Sequence, residues 1–334
     1  MSMKKLINDP MNIADEIAEG FALAYSHLVR KHPQMNIIIR KDAPIQGKVG
    51  VVVGGGAGHE PVFLEYVGPG MADASVNGQI FAAPSPDIII EGIRAVNSGN
   101  GVMLLYNNYA GDILNFDMAQ DDARQEGINV ETVLIYEEIG SAPKGRETER
   151  RGTTVDHVIT KIAGAVAETK APLDKVIAVT RRAINGSRSL GVGLSSCTLP
   201  ATGDYIFSIA DDEMEIGMGM HGEPGVERIK LLSADKTMER IIPRIIEDLP
   251  YKSGDEVVLV INSYGGSTRM EMFIANRKIR RMLADYGIKV HATDIGEFGT
   301  CQEMKGMSVT LVRMDEELKR YFDAPCRCSV YTKP

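Results

Sequence analysis

Short apolar runs that alternate with helix-spaced apolar faces constrain this chain more than any other feature of its sequence. Asp9-Pro10 reads as a helix N-cap with Pro at the first helical position. Ile13, Ile17, Phe21, Ala24 and Leu28 follow at the spacing of one buried helical face. Ile37-Ile38-Ile39 and Val51 to Val53 read as short buried strands, the second running directly into a glycine loop. Ser85-Pro86-Asp87 opens a helix that reaches Val96. Val102 to Tyr106 is then a strand, 107–111 a loop, Asp112 to Gln125 a helix and Val130 to Tyr136 a strand. Strands alternating with helices imply βαβ units and a largely parallel sheet, whose ligands sit beyond the C-terminal strand ends. The loops 54–61 and 107–112 both follow strands, so they can face one crevice.

Residues 137–152 are polar and of mixed charge and read as a long surface connection. Helical stretches follow at 153–168 and 172–185. The turn-rich Asn185-Gly186-Ser187-Arg188-Ser189 then marks a boundary between domains of 1–186 and 187–334. The second half opens on a Gly-rich strand from Leu190 to Ser196. It continues with a helix at 236–248, a strand from Glu256 to Asn262 and a helix at 267–285. Strands from Lys289 to Ile295 and Ser308 to Arg313 and a helix after Asp315 complete it. The expected fold class is α/β, with two α/β domains, each a central sheet flanked by helices. At 334 residues and 44% hydrophobic, the chain can bury a large core without disulfide or metal support.

Charge and targeting signals narrow the partners. A net charge of −8 argues against non-specific nucleic-acid binding, which relies on clustered Lys and Arg. No apolar run is long enough to span a membrane. The basic Met-Ser-Met-Lys-Lys start is interrupted by Asn-Asp-Pro before any apolar region develops. The chain is therefore expected to be cytoplasmic, with neither nucleic acid nor membrane as a partner. Cys197, Cys301, Cys326 and Cys328 fit no zinc spacing. Cys326-Arg327-Cys328 has the form of a redox pair, but ordinary reduced thiols are the preferred reading in a cytoplasmic chain.

Three segments carry the candidate chemistry. In Gly54-Gly55-Gly56-Ala57-Gly58-His59-Glu60-Pro61, small residues let backbone N–H groups come close to a ligand, with Gly56, Ala57 and Gly58 as the lining. A dinucleotide fingerprint fails here because His59 falls where its third Gly belongs, and no Gly-Lys-Ser/Thr follows for a phosphate loop. The His-Glu-Pro ending favours a site over a plain tight turn. In Asn107-Asn108-Tyr109-Ala110-Gly111-Asp112, Asp112 is either a helix N-cap or, near His59, a general base. In Gly217-Met218-Gly219-Met220-His221-Gly222-Glu223-Pro224-Gly225, His221 is either a surface side chain between turns or a neutral imidazole to which a ketone adds. His27, His32, His157 and His291 read as surface or helix residues, with no metal-ligand spacing among them. Gly-x-Ser-x-Gly is absent, and Asp211-Asp212-Glu213 reads as a solvated acidic turn.

In this order and at these separations, the three segments resemble the dihydroxyacetone kinase substrate-binding subunit family. Further matching stretches are Met-Lys-Lys-Leu-Ile-Asn-Asp at 3–9, Asn-Tyr-Ala-Gly-Asp-Ile-Leu-Asn-Phe at 108–116, Arg150-Arg151-Gly152, Asp211 to Gly217, and Asp323-Ala324-Pro325. The resemblance covers essentially the whole chain. It implies a homodimer of two-domain α/β chains and a hemiaminal between His221 and the ketone carbon of dihydroxyacetone. It further implies that His59 and Asp112 assist proton transfer from the substrate hydroxyl, and that the backbone around Gly56 to His59 holds the ligand. The likeness is to the phosphotransferase-system-dependent form. There, nucleotide and magnesium sit on a separate nucleotide-binding kinase subunit, so no cofactor is expected in this chain. The chain departs from the family at Asn107, where Lys is usual, and in the tail after Pro325. A short neutral amide in place of a charged donor costs about 1.5–3 kcal/mol of binding if nothing replaces it, or reshapes the pocket for a longer ketose such as erythrulose. Related paralogues that bind dihydroxyacetone without turning it over serve as coactivators of a transcription regulator, and they form the alternative expectation.

Overall fold

The first sheet is built from six strands in a computed structural model that describes residues 4–334. Met1–Met3, the start of the basic N-terminal stretch and of the 3–9 motif, lie outside the described residues. The strands are β1 (Val29–Lys31), β2 (Ile37–Arg40), β3 (Gly50–Ala57), β4 (Ala74–Ile80), β5 (Val102–Asn107) and β6 (Val130–Ile135), in the spatial order β1-β2-β4-β3-β5-β6. β4, β3, β5 and β6 run parallel, whereas β1 and β2 join them by antiparallel pairing. The sheet is thus mixed at the end where the chain enters.

Helices α1 (Ile13–Ala24), α2 (Pro86–Val96), α3 (Ala110–Gln125), α4 (Asp156–Glu168) and α5 (Leu173–Asn185) follow the expected positions to within a few residues. Ile89, Ile93 and Val96 of α2 and Phe116, Ala119 and Ala123 of α3 form one core with Ile37, Ile39, Val52, Val76 and Leu104. α1 packs a smaller core with Val29, Ile38, Leu64 and Val67. Residues 156–167 of α4 are all buried, so this helix is a core element rather than an amphipathic cover. His157 belongs to it and is fully buried, with its ring edge-on to Tyr331.

The second sheet holds β7 (Ser187–Ser195), β8 (Glu213–Ile216), β9 (Glu227–Lys230), β10 (Glu256–Ser263), β11 (Lys289–Gly296) and β12 (Lys305–Met314), ordered β11-β10-β12-β7-β8-β9. Only the β10–β11 pair is parallel. Ile241, Ile242 and Ile245 of α6 (Ala234–Asp248) and Ala275, Ile279 and Leu283 of α7 (Arg269–Asp285) cover one of its faces. The chain ends in α8 (Glu316–Asp323) and a two-stranded hairpin of β13 (Cys326–Arg327) and β14 (Thr332–Lys333).

The two compact units interleave along the chain. The first comprises 7–135, 156–182 and 317–334, and the second 4–6, 136–155 and 183–316. This differs from a single cut at 186/187, because packing places the last helix and hairpin with the first sheet and 136–155 with the second. Nor is 137–152 simply a surface connection. Glu137, Glu138 and Arg150 are buried, and Glu137 accepts from the Thr153 and Thr154 N–H groups and from Ser189 Oγ. Arg150 binds both oxygens of Asp248, at 2.8 and 2.6 Å. No helix among the described residues is long and apolar enough to cross a membrane.

Candidate functional site

The glycines expected as a loop after Val53 are part of β3, which continues through Ala57. They are glycines because other atoms occupy the space of a side chain. A Cβ on Gly54 would collide with Val76 and meet Phe116, and one on Gly56 would stand 2.7 Å from the backbone nitrogen of Ala82. Gly55 differs: its Cβ would lie 3.5 Å from the Phe63 ring and 3.9 Å from an oxygen of Asp112, at ordinary contact distance. Gly55 thus faces Phe63 and the Asp112 carboxylate with room for a methyl group.

Two residues after β3, the turn carries His59, half-buried, with its ring 4.8 Å from that of Phe81. The Gly58 N–H, expected to face a ligand, donates to the Glu60 carboxylate at 2.9 and 3.1 Å. Burial pushes the Glu60 carboxyl up, against the lowering effect of that backbone bond. Ala57 gives its carbonyl to Phe81 N–H. Internal bonds therefore satisfy much of the loop that was read as ligand-lining.

Asn107 ends β5 and Asp112 lies in the first turn of α3, whose N-cap is Tyr109. Asp112 is therefore inside the helix and is not its cap. Strand register puts Asn107 on the same face of the sheet as Gly55. Val53 pairs with Leu105, and two residues on, Gly55 and Asn107 carry the same face of the sheet. Its side-chain Oδ1 is buried and has no hydrogen-bond partner. An unsatisfied buried amide oxygen is costly and calls for a donor from outside the chain.

His221 lies in the second unit, in the loop that joins the antiparallel strands β8 and β9. Gly217 and Gly222 hold positive φ angles of 76° and 81°, which permit the tight path of this loop. Met218 and Met220 point inward and anchor it. The His221 backbone N–H and ring Nδ1 both meet the Glu223 carboxylate, at 2.9 and 3.3 Å. Arg151 stands 3.5 Å from Glu223 and bonds Glu138 at 2.8 Å. Burial opposes ionisation of Glu223, but His221 and Arg151 outweigh it and hold the carboxyl at about 2. Burial wins at Glu138, whose carboxyl rises to about 7 despite Arg151. An ionised Glu223 accepts the Nδ1 proton, which selects the tautomer with the lone pair on Nε2. An imidazole in that tautomer can act as a nucleophile, with Glu223 placed to balance positive charge on the ring.

The structure therefore gathers Gly56, Ala57, Gly58, His59, Asn107 and Asp112 in the first unit and His221 in the second. Sequence reasoning missed Glu223, Arg151 and Glu138 as partners of the histidine. One signal was available: both loops carry Glu two or fewer residues after His, and in both the carboxylate accepts a backbone N–H two residues upstream.

A family model described as the Dak1 domain matches residues 19–330. The chain is 40% identical over 325 residues to the "PTS-dependent dihydroxyacetone kinase 2, dihydroxyacetone-binding subunit DhaK" of Listeria innocua, covering 97% of this chain and 98% of that one. It is 36% identical to the L-erythrulose kinase of Pectobacterium atrosepticum, with 99% of this chain matched to 56% of that protein. The crystal structure of the dihydroxyacetone kinase of C. freundii superposes with a TM-score of 0.91 at 30% identity, over 100% of this chain and 61% of that chain. The chain belongs to the Dak1 family, among the DhaK-type dihydroxyacetone kinase substrate-binding subunits.

Proposed function

We propose that this chain is the substrate-holding subunit of a phosphoenolpyruvate-dependent dihydroxyacetone kinase, and that it captures the ketose covalently on His221. The observation that carries the reading is the hydrogen bond between His221 Nδ1 and the ionised Glu223. It leaves Nε2 as the nucleophile. Nε2 adds to the ketone carbon, the carbonyl π pair moves to oxygen, and protonation of that oxygen with loss of the ring proton gives a neutral hemiaminal. Glycerol has no carbonyl and is rejected. Asp112, with His59, takes the proton of the terminal hydroxyl as phosphate arrives. Nucleotide and magnesium belong on a separate kinase subunit, and the chain acts as a homodimer. The near full-length match to a subunit of that name supports this assignment.

A second reading, that the preferred ligand is a four-carbon ketose, is favoured by the unpartnered Oδ1 of Asn107. The additional hydroxyl of erythrulose would donate to it, where a Lys could only donate itself. Phosphate transfer with nucleotide-binding subunit, donor protein and phosphoenolpyruvate tests both readings, using dihydroxyacetone and erythrulose against a His221→Ala control. Turnover that vanishes in the control supports the kinase subunit, and the better substrate decides between the ketoses. An adduct on His221 with no turnover of either ketose would replace the kinase reading with that of a sensor.

A further inference from the structure

Two thiols that the proposed chemistry does not use meet beneath the His221 loop. Cys197 follows β7 and Cys301 lies in the turn between β11 and β12, 104 positions apart, with their sulfurs 3.3 Å apart and both side chains fully buried. The Cys301 thiol also reaches the backbone carbonyl of Met220, the residue next to His221. The backbone around each is pinned: Cys301 N–H donates to Tyr264 O at 2.9 Å, and Ile206 N–H to Cys197 O at 3.3 Å. The two sulfurs thus stand side by side, the arrangement that an attacking and a resolving thiol require.

We propose that Cys197 and Cys301 form a reversible oxidation site, in which a peroxide joins them as a disulfide and thereby displaces the loop that carries His221. Cys197 thiolate attacks one peroxide oxygen, the O–O bond breaks, and a sulfenic acid and hydroxide result. Cys301 sulfur attacks the sulfenic sulfur and expels its oxygen, which leaves as water with the Cys301 proton. In sum, two thiols lose two electrons and one hydrogen peroxide becomes two waters. The sulfurs close from 3.3 Å to about 2.05 Å. Cys301 simultaneously loses the proton it gives to Met220 O. The buried pair is reached when the glycine-rich loop opens locally, which is how buried groups meet small reagents. Thiol–disulfide exchange with a reducing pool returns the dithiol.

The cross-link does not depend on what His221 binds; only its consequence rests on the ketose reading. The experiment exposes the reduced full chain to hydrogen peroxide, blocks remaining thiols, and maps the peptides by mass spectrometry. Parallel samples are mixed with dihydroxyacetone and the His221 adduct is followed by NMR. The expected result is a 197–301 peptide pair lighter by about 2 Da, loss of two of the four thiols, loss of the adduct signal, and recovery of both with dithiothreitol. Cys301→Ser keeps a donor for Met220 O, so it is expected to form the adduct and to be indifferent to peroxide. Four thiols surviving peroxide, or a Cys326–Cys328 cross-link in their place, would overturn the site. A 197–301 cross-link with undiminished adduct would overturn the coupling to His221. If the reduced protein forms no adduct yet cross-links, the oxidation site stands and the ketose reading falls.

Discussion

At the scale of single residues, the proposed chemistry turns on what surrounds one imidazole. Glu223 makes His221 directional, and His221 and Arg151 together keep Glu223 ionised while Arg151 ties it to Glu138. Replacing Glu223 by Gln removes one charge-assisted bond and is expected to weaken ketone capture by about 10- to 150-fold. NMR titration of the His221 adduct measures this, with circular dichroism confirming the fold. The same carboxylate leaves a trace in stability. Its folded value of about 2 lies below the unfolded one, so its contribution is present above the unfolded value and is lost as pH falls toward 2. The side chain is 34% exposed, so solvent screens part of the effect. Between pH 4.5 and 2, the wild-type melting temperature is expected to drop more than that of the Glu223→Gln variant.

At the scale of elements, neighbouring glycines of one strand have opposite tasks, because successive residues of a strand face opposite sides. Gly54 faces the core under Val76 and Phe116, and Gly55 faces Phe63 and Asp112. Gly54→Ala is expected to destabilise the protein by about 1–3 kcal/mol through overpacking, or more where backbone must shift. Gly55→Ala meets only ordinary van der Waals contacts and is expected to cost less stability than Gly54→Ala, while crowding any ligand beside Asp112. Urea unfolding and ligand titration of the pair separate the roles. Equal loss of stability in both variants would refute the opposed-face reading.

At the scale of the whole molecule, each unit is completed by chain that returns from elsewhere in the sequence. The first unit depends on its C-terminal segment. Arg327 N–H donates to Pro69 O at 2.8 Å, and the backbone of 325–328 lies where side chains on Gly68 and Gly70 would be. Lys161, buried in α4, gives its ammonium to Tyr321 O at 2.7 Å. Removing 317–334 strips that acceptor and opens buried backbone to water. The truncated chain is expected to lose hydrogen-exchange protection in α4 and around 66–72 while α6 and α7 keep theirs. Uniform loss in both units would mean that they unfold as one.

Much of the fold was legible because apolar periodicity is a local signal. β2, β3, β5, β6, β10, β11 and β12 and the main helices fall where the pattern puts them. The missed strands lack that pattern: Asn77 and Gly78 interrupt β4, β1 is three residues long, and β8 and β9 have four residues each. The glycine-histidine segments, in their order and separations, carry the resemblance to the family as a purely local signal. Tertiary structure alone decided the rest. Which carboxylate orients His221, which cysteine meets Cys197, which sheet receives 136–155, and what packs on each face of β3 are set by contacts between distant segments. Hydrophobic burial says only that such residues go inside, whereas the geometry of packing and of hydrogen bonds chooses their neighbours.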